Sequence, residues 1–157
     1  MKKVAKFYLC HSGNTKAIAE KIQKYTQAVL FEVNPSKDYP HTQKSPIQIV
    51  EKASLLHPHS IEKNEIPNVK DFDVILFGYP NWWEGIPEPI KILVQELRLI
   101  DKQVAAFCTH EGARSHKKST DIKPYFPYSS VLQGITLRND QAIDEKLKEW
   151  LEQSILN

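Results

Sequence analysis

Asp73-Val74-Ile75-Leu76-Phe77-Gly78-Tyr79 is the stretch on which the fold turns. It is a near-continuous apolar run rather than an alternation of apolar and polar residues. Strands of that kind are covered on both faces and belong to parallel sheets between layers of helix, so this one is placed at the sheet centre. Toward the N-terminus, Lys3 to Leu9 is a second short β-branched, aromatic and aliphatic run. The polar turn Cys10 to Asn14 follows it, and then Ala17, Ile18, Ala19 and Ile22 at helical spacing. Val29 to Val33 is the next strand candidate. Asn34 to Pro46, rich in Pro, Lys, His and Ser, reads as a surface excursion, and Ser45-Pro46 opens a capped helix that carries Ile47, Ile49, Val50, Ala53 and Leu56 and stops before Pro58. Toward the C-terminus, helical spacing returns at Ile90, Leu93, Val94 and Leu97. Gln103 to Cys108 is another buried strand, Ser119 to Tyr125 a short helix, and Val131 to Leu137 the strand that closes the sheet. A last helix, from about Gln141 to Leu156, places Ile143, Leu147, Trp150, Leu151 and Ile155 on one packing side, with Asp140 or Asn139 available as its cap.

Strand and helix thus alternate through the chain, which predicts an α/β fold, a doubly wound, mostly parallel five-stranded sheet with helices on both faces. A length of 157 residues with 41% hydrophobic content suits a single domain over residues 1–157. Twenty-one basic residues against 19 acidic ones leave a formal charge of +2, which does not suit a protein held to nucleic acid by phosphate-backbone contacts. The apolar segment after Met1 ends at Leu9, too short for a secretory leader or a membrane span. The expectation is a soluble cytoplasmic protein with no membrane and no nucleic-acid partner. Only Cys10 and Cys108 occur, with no Cys-x-x-Cys pair, in keeping with a reducing compartment.

In open α/β sheets ligands bind beyond the carboxyl ends of the strands, near the point where strand order reverses, so the loops after strands one, three and four are the candidate site. The first, Cys10-His11-Ser12-Gly13-Asn14-Thr15-Lys16, sets small hydroxyl residues and one glycine at a helix N-terminus, where unpaired N–H groups and the helix dipole favour an anion such as phosphate. An ordinary capped helix, with Ser12 or Asn14 as cap and Gly13 easing the turn, would use the same residues. The second, Gly78-Tyr79-Pro80-Asn81-Trp82-Trp83-Glu84-Gly85-Ile86-Pro87-Glu88-Pro89, carries adjacent tryptophans in a connection punctuated by Pro and Gly. At least one of them is placed as the wall for a heteroaromatic ring, which a planar side chain covers by offset stacking, while the other is free to plug the core. The third, Cys108-Thr109-His110-Glu111-Gly112-Ala113-Arg114-Ser115, offers polar backbone at the same edge, and Arg114, His116, Lys117 and Lys118 beyond it form a basic cluster that reads either as a second anion contact or as a solvated face.

These three motifs, in this order, resemble the flavodoxin family, and particularly its short bacterial branch with a Tyr-Pro-x-Trp-Trp loop. Ser12-Gly13-Asn14-Thr15 matches the phosphate loop, Gly78 to Trp83 the first flavin-ring loop, and Phe107-Cys108-Thr109-His110 the start of the second. The resemblance covers nearly the whole chain. It implies strand order 2-1-3-4-5 and non-covalently bound FMN, its phosphate on Ser12, Gly13, Asn14 and Thr15 with His11 beside it. The ring would lie between Pro80, Asn81, Trp82 and Trp83 on one side and Thr109, His110, Glu111 and Gly112 on the other. The chain departs from the branch after His110, where glycines and serine are usual and Glu111, Ala113, Arg114 and His116 stand. Glu111 and Arg114 act on the charge of a reduced ring in opposite directions.

The chemistry would then be the flavin's, with no catalytic side chain required of the protein. The resemblance implies an FMN-binding electron-transfer flavoprotein working with a redox partner protein or a small quinone-like acceptor. The second reading is a small FMN-dependent NAD(P)H/quinone reductase, although no Gly-x-Gly-x-x-Gly follows any strand. The third is a flavin-free module that keeps the fold and holds a partner at the tryptophan edge. A metal site of Cys10, His11, Cys108 and His110 is a further candidate. In the order 2-1-3-4-5, strand three separates strands one and four by about 9–10 Å, which also argues against a Cys10–Cys108 disulfide.

Overall fold

The computed structural model describes residues 2–9, 13–33, 68–81, 86–110, 120–138 and 142–157. Four strands, β1 (Val4–Tyr8), β2 (Val29–Glu32), β3 (Val74–Pro80) and β4 (Gln103–Thr109), run parallel, with β5 (Ser130–Val131) and β6 (Ile135–Leu137) both paired to the outer side of β4. The order β2-β1-β3-β4-β5 is the expected one, and β3 sits between β1 and β4 with every residue from Val74 to Tyr79 buried. An apolar run without alternation has no face to spare for water, and this is the position that needs none.

Strand parity divides the core in two. Ala5, Phe7, Ile75, Phe77, Val104 and Ala106 point to one face and pack with Ile90, Leu93 and Val94 of α2 (Glu88–Leu97). On that face Phe31, Phe7, Phe77 and Phe126 form a row across the sheet, with successive ring centroids 5.1, 5.9 and 5.4 Å apart. Val4, Val74, Leu76, Ala105 and Phe107 point the other way. They meet Ile18 and Ile22 of α1 (Asn14–Thr26), together with Leu147 and Trp150 of α3 (Ile143–Trp150), which continues as a π-helical turn over Leu151–Ile155.

Lys6 shares this second face and is fully buried. Its Nζ donates to the Ala19 carbonyl of α1 at 2.5 Å, and burial pulls its ammonium pKa down from 10.5 to about 7.

Beyond β4 three elements differ from their sequence reading. The closing strand expected over Val131–Leu137 is interrupted. Val104 pairs with Val131 and Phe107 with Ile135, so Ala105 and Ala106 face three residues, Leu132, Gln133 and Gly134. This one-residue excess is a bulge, and the Gln133 carbonyl it displaces from the ladder accepts from Trp150 Nε1 at 2.7 Å. The short helix expected over Ser119–Tyr125 contains, among the described residues, a 3-10 turn at Lys123–Tyr125, because Pro124 has no N–H to continue an α-helical ladder. The final helix, expected from about Gln141, starts at Ile143 among the described residues with Ala142 as N-cap, and Asn139 and Asp140 lie outside them. Asp144 and Glu145 place negative charge in its first turn, where the dipole favours it. The helix expected after Ser45-Pro46 lies outside the described residues.

Candidate functional site

The carboxyl ends of β1, β3 and β4 are tied together by the residues that leave them. Leu9, just past β1, donates its N–H to the Gly78 carbonyl of β3 at 2.8 Å. Asn81 donates to the Thr109 carbonyl at 2.7 Å, and His110 to the Leu137 carbonyl at 3.0 Å. The strand expected over Asp73–Tyr79 runs one residue further, through Pro80, and the one expected over Gln103–Cys108 runs through Thr109. Gly78, Tyr79 and Pro80 are still in β3, paired with Phe107, Cys108 and Thr109 of β4. A terminal strand position suits Pro80, since a proline there forfeits no interior ladder bond.

Gly78 pays for that pairing with its side chain. A Cβ at this position would lie 2.1 Å from Phe107 Cζ, so the Phe107 ring occupies the space where any other residue would begin.

At the end of β1 the chain turns through Gly13, the N-cap of α1, with φ +91°. That is left-handed backbone, which glycine adopts without a Cβ penalty. The sequence reading offered Ser12 or Asn14 as the cap, but Asn14 is the first helical residue, and the cap position demands the backbone freedom of glycine more than a side-chain acceptor. Gly13 is exposed, a Cβ on it would meet nothing within 4 Å, and the first turn of α1 has no acidic residue, while the exposed Lys16 adds positive charge. Among the described residues this arrangement suits an anion: helix N–H groups at a positive dipole end and no carboxylate in the first turn. Gly13→Ala is expected to lower unfolding stability by about 1 kcal/mol through the left-handed backbone alone, since the space is open. Denaturant titration checks this, and a loss below the error of the method would mean that the turn relaxes to negative φ.

Thr15, in the first turn of α1, is buried, and its Oγ1 lies 2.8 Å from Thr109 Oγ1 at the end of β4. Pro80, Asn81 and His110 stand half-buried around this junction. The structure thus brings Gly13, Asn14, Thr15, Pro80, Asn81, Thr109 and His110 to one sheet edge. His11, Ser12, Trp82, Trp83, Glu111 and Gly112 lie outside the described residues, as do Cys10 and the basic cluster from Arg114 to Lys118.

Cys108 is turned away from the junction into the α2 face of the core. Burial pushes its thiol up to about 12, so it stays protonated at neutral pH. Among the described residues no three of His, Cys, Asp and Glu gather as metal ligands. Nor is any helix among them long and apolar enough to cross a membrane. Sequence reasoning singled out Thr15 and Thr109 separately but not the bond between them, which depends on α1 lying across the ends of β3 and β4.

A family model described as Flavodoxin matches residues 2–154. No curated protein matches the chain. Among solved structures, a candidate flavoprotein from Bacteroides uniformis shares 21% identity at a TM-score of 0.78, over 97% of this chain and 99% of its own. One from Bacteroides eggerthii shares 23% at 0.76 over 100% of both chains. A flavoprotein from Lactobacillus acidophilus, crystallised in complex with FMN, shares 24% at 0.66 over 92% of this chain and 98% of its own. At these identities the structural likeness is one of fold.

Proposed function

Because the chain belongs to the flavodoxin family, we propose that it holds FMN non-covalently at the joined ends of β1, β3 and β4 and acts as an electron-transfer flavoprotein. The observation that carries this reading is the acid-free N-terminus of α1, opened by Gly13 and set against the ends of β3 and β4. The FMN complex of the Lactobacillus acidophilus flavoprotein supports the choice of cofactor. The phosphate falls to Gly13, Asn14 and Thr15 and the ring to the loops beyond Pro80 and Thr109. His11, Ser12, Trp82, Trp83, Glu111 and Gly112 join the reading from the sequence alone.

Bound FMN would supply the one- and two-electron chemistry. The protein's part is placement. The N–H groups of Asn81 and His110 are spent on the carbonyls of Thr109 and Leu137, so they fix where each loop departs, and the contacts that meet a ring fall to side chains and to residues further along. Buried Thr15 and Thr109 keep water from the floor of the site.

Titration of the apoprotein with FMN is expected to give a yellow protein with quenched flavin fluorescence, since a tryptophan stacked on the ring quenches its emission, and saturation at micromolar FMN or below. Absence of binding at micromolar FMN would sink the reading. Once FMN is bound, reversible reduction without steady turnover marks a carrier with a protein partner. Sustained NAD(P)H consumption in the presence of a quinone assigns the small-reductase activity instead.

A further inference from the structure

Thr109 touches all three parts of the site. Its carbonyl accepts from Asn81 at the start of the loop after β3, the loop after β4 departs from it, and its hydroxyl meets Thr15 in the first turn of α1 at 2.8 Å. Thr15 and Thr109 are 2% and 4% exposed, so water is not at hand to replace either partner. Two hydroxyls carry two protons, and a bond between them spends one. If Thr15 donates to Thr109, it can offer an anion only lone pairs. If Thr109 donates to Thr15, the Thr15 proton is left for a group at the helix N-terminus. An anion there repels lone pairs and attracts that proton, so it selects the second arrangement.

We propose that Thr109 is a positioning residue for the phosphate end of the ligand, donating its hydroxyl to Thr15 Oγ1 and so directing the Thr15 proton to the phosphate. This rests on the FMN reading and adds to it a preference for phosphorylated over unphosphorylated flavin. The bond also joins the phosphate end to the residue from which the third loop departs, so the two ends of the site are set by one contact.

The test is titration of the wild type, Thr109→Val and Thr109→Ser with FMN and with riboflavin, alongside thermal melts and the 31P spectrum of bound FMN. Valine keeps the shape of threonine without its hydroxyl, and serine keeps the hydroxyl. The ratio of FMN to riboflavin affinity is expected to fall at least about tenfold in Thr109→Val and to stay within about twofold of wild type in Thr109→Ser, the scale of one charge-assisted hydrogen bond. The 31P resonance should shift in the valine variant and return in the serine variant. Equal losses of FMN and riboflavin would make Thr109 a packing residue and overturn the proposal, as would a valine variant with unchanged ratio and unmoved resonance. Should Thr109→Val fail to fold, Thr109→Ala against Thr109→Ser gives the same comparison. Failure of the wild type to bind FMN overturns the function reading and this inference together, whereas wild-type binding with an indifferent valine variant overturns the inference alone.

Discussion

Lys6→Met is expected to raise the stability of this protein at pH 7 by roughly 3 kcal/mol, an increase of about 6–12 °C in unfolding midpoint for a chain of this size. Lys6 lies between β1 and α1 with the Ala19 carbonyl as its partner, and its pKa falls from 10.5 to about 7 on folding. Between those values the unfolded chain binds more protons than the folded one, so stability rises with pH across the window. It is lowest below pH 7, where the folded protein too must carry the buried charge. Each unit of pKa is about 1.4 kcal/mol, which makes the handicap on the order of 4–5 kcal/mol, and the lost hydrogen bond returns about 1 kcal/mol of the gain. Methionine matches the length of the lysine stem and suits an apolar gap. The signature is in the pH dependence. The wild type should gain about 2 kcal/mol between pH 7 and pH 9, and the variant should lose that slope. Cys108 bears with the opposite sign only above its unfolded value of 9.0, because a thiol whose folded pKa is raised gives stability that disappears at higher pH. Urea titrations of both proteins at the two pH values decide the matter. A variant less stable than wild type, or one with the same slope, would show that Lys6 pairs with more than a helix carbonyl.

Gly78→Ala is expected to cost about 2–4 kcal/mol, far beyond the usual effect of one added methyl group. The new Cβ would sit 2.1 Å from Phe107 Cζ, and Phe107 is fully buried between the sheet and the α1 and α3 layer, so the ring has no solvent to retreat into. The clash is specific to one pair, and that makes it testable by a double-mutant cycle. In a Phe107→Leu background, where the ring tip is gone, Gly78→Ala should cost at least about 1 kcal/mol less than in the wild type. A single variant within about 0.5 kcal/mol of wild type would mean that the neighbouring strand moves freely enough to make room, against the close packing expected of an interior. Since β3 leads through Pro80 into the loop assigned to the ring, the same variant should also weaken flavin binding.

Much of this protein was legible along the chain. The unbroken run from Val74 to Tyr79 places β3 at the sheet centre, the helical spacing of Ile18, Ile22, Leu93 and Leu147 assigns faces that the core fills, and the three loops at strand ends stand out by their residue types alone. Gly13 was recognised as a turn residue, although its place as the helix cap itself was not. These features share one property: residues close in sequence impose them through backbone preference and the periodicity of apolar side chains, so a single segment suffices to reveal them.

What the chain did not reveal depends on how distant segments meet. Gly78 reads in the sequence both as part of the central strand and as the first residue of the loop beyond it, and only its pairing with Phe107 shows why no side chain fits there. Val131 to Leu137 reads as one strand, and the bulge becomes visible only when three of its residues are counted against two of β4. Lys6 reads as an ordinary polar position on a first strand until α1 closes over it. Thr15 and Thr109 were each named for their own loops, and the hydroxyl bond between them spans 94 positions. The sequence by itself determined the types and order of the described elements and the sheet edge from which the three candidate loops leave. Register and layer packing decided which lysine is buried, which glycine faces a ring with no room for a side chain and which two threonines are bonded, because those outcomes are set by the relative placement of elements, a property no single segment carries.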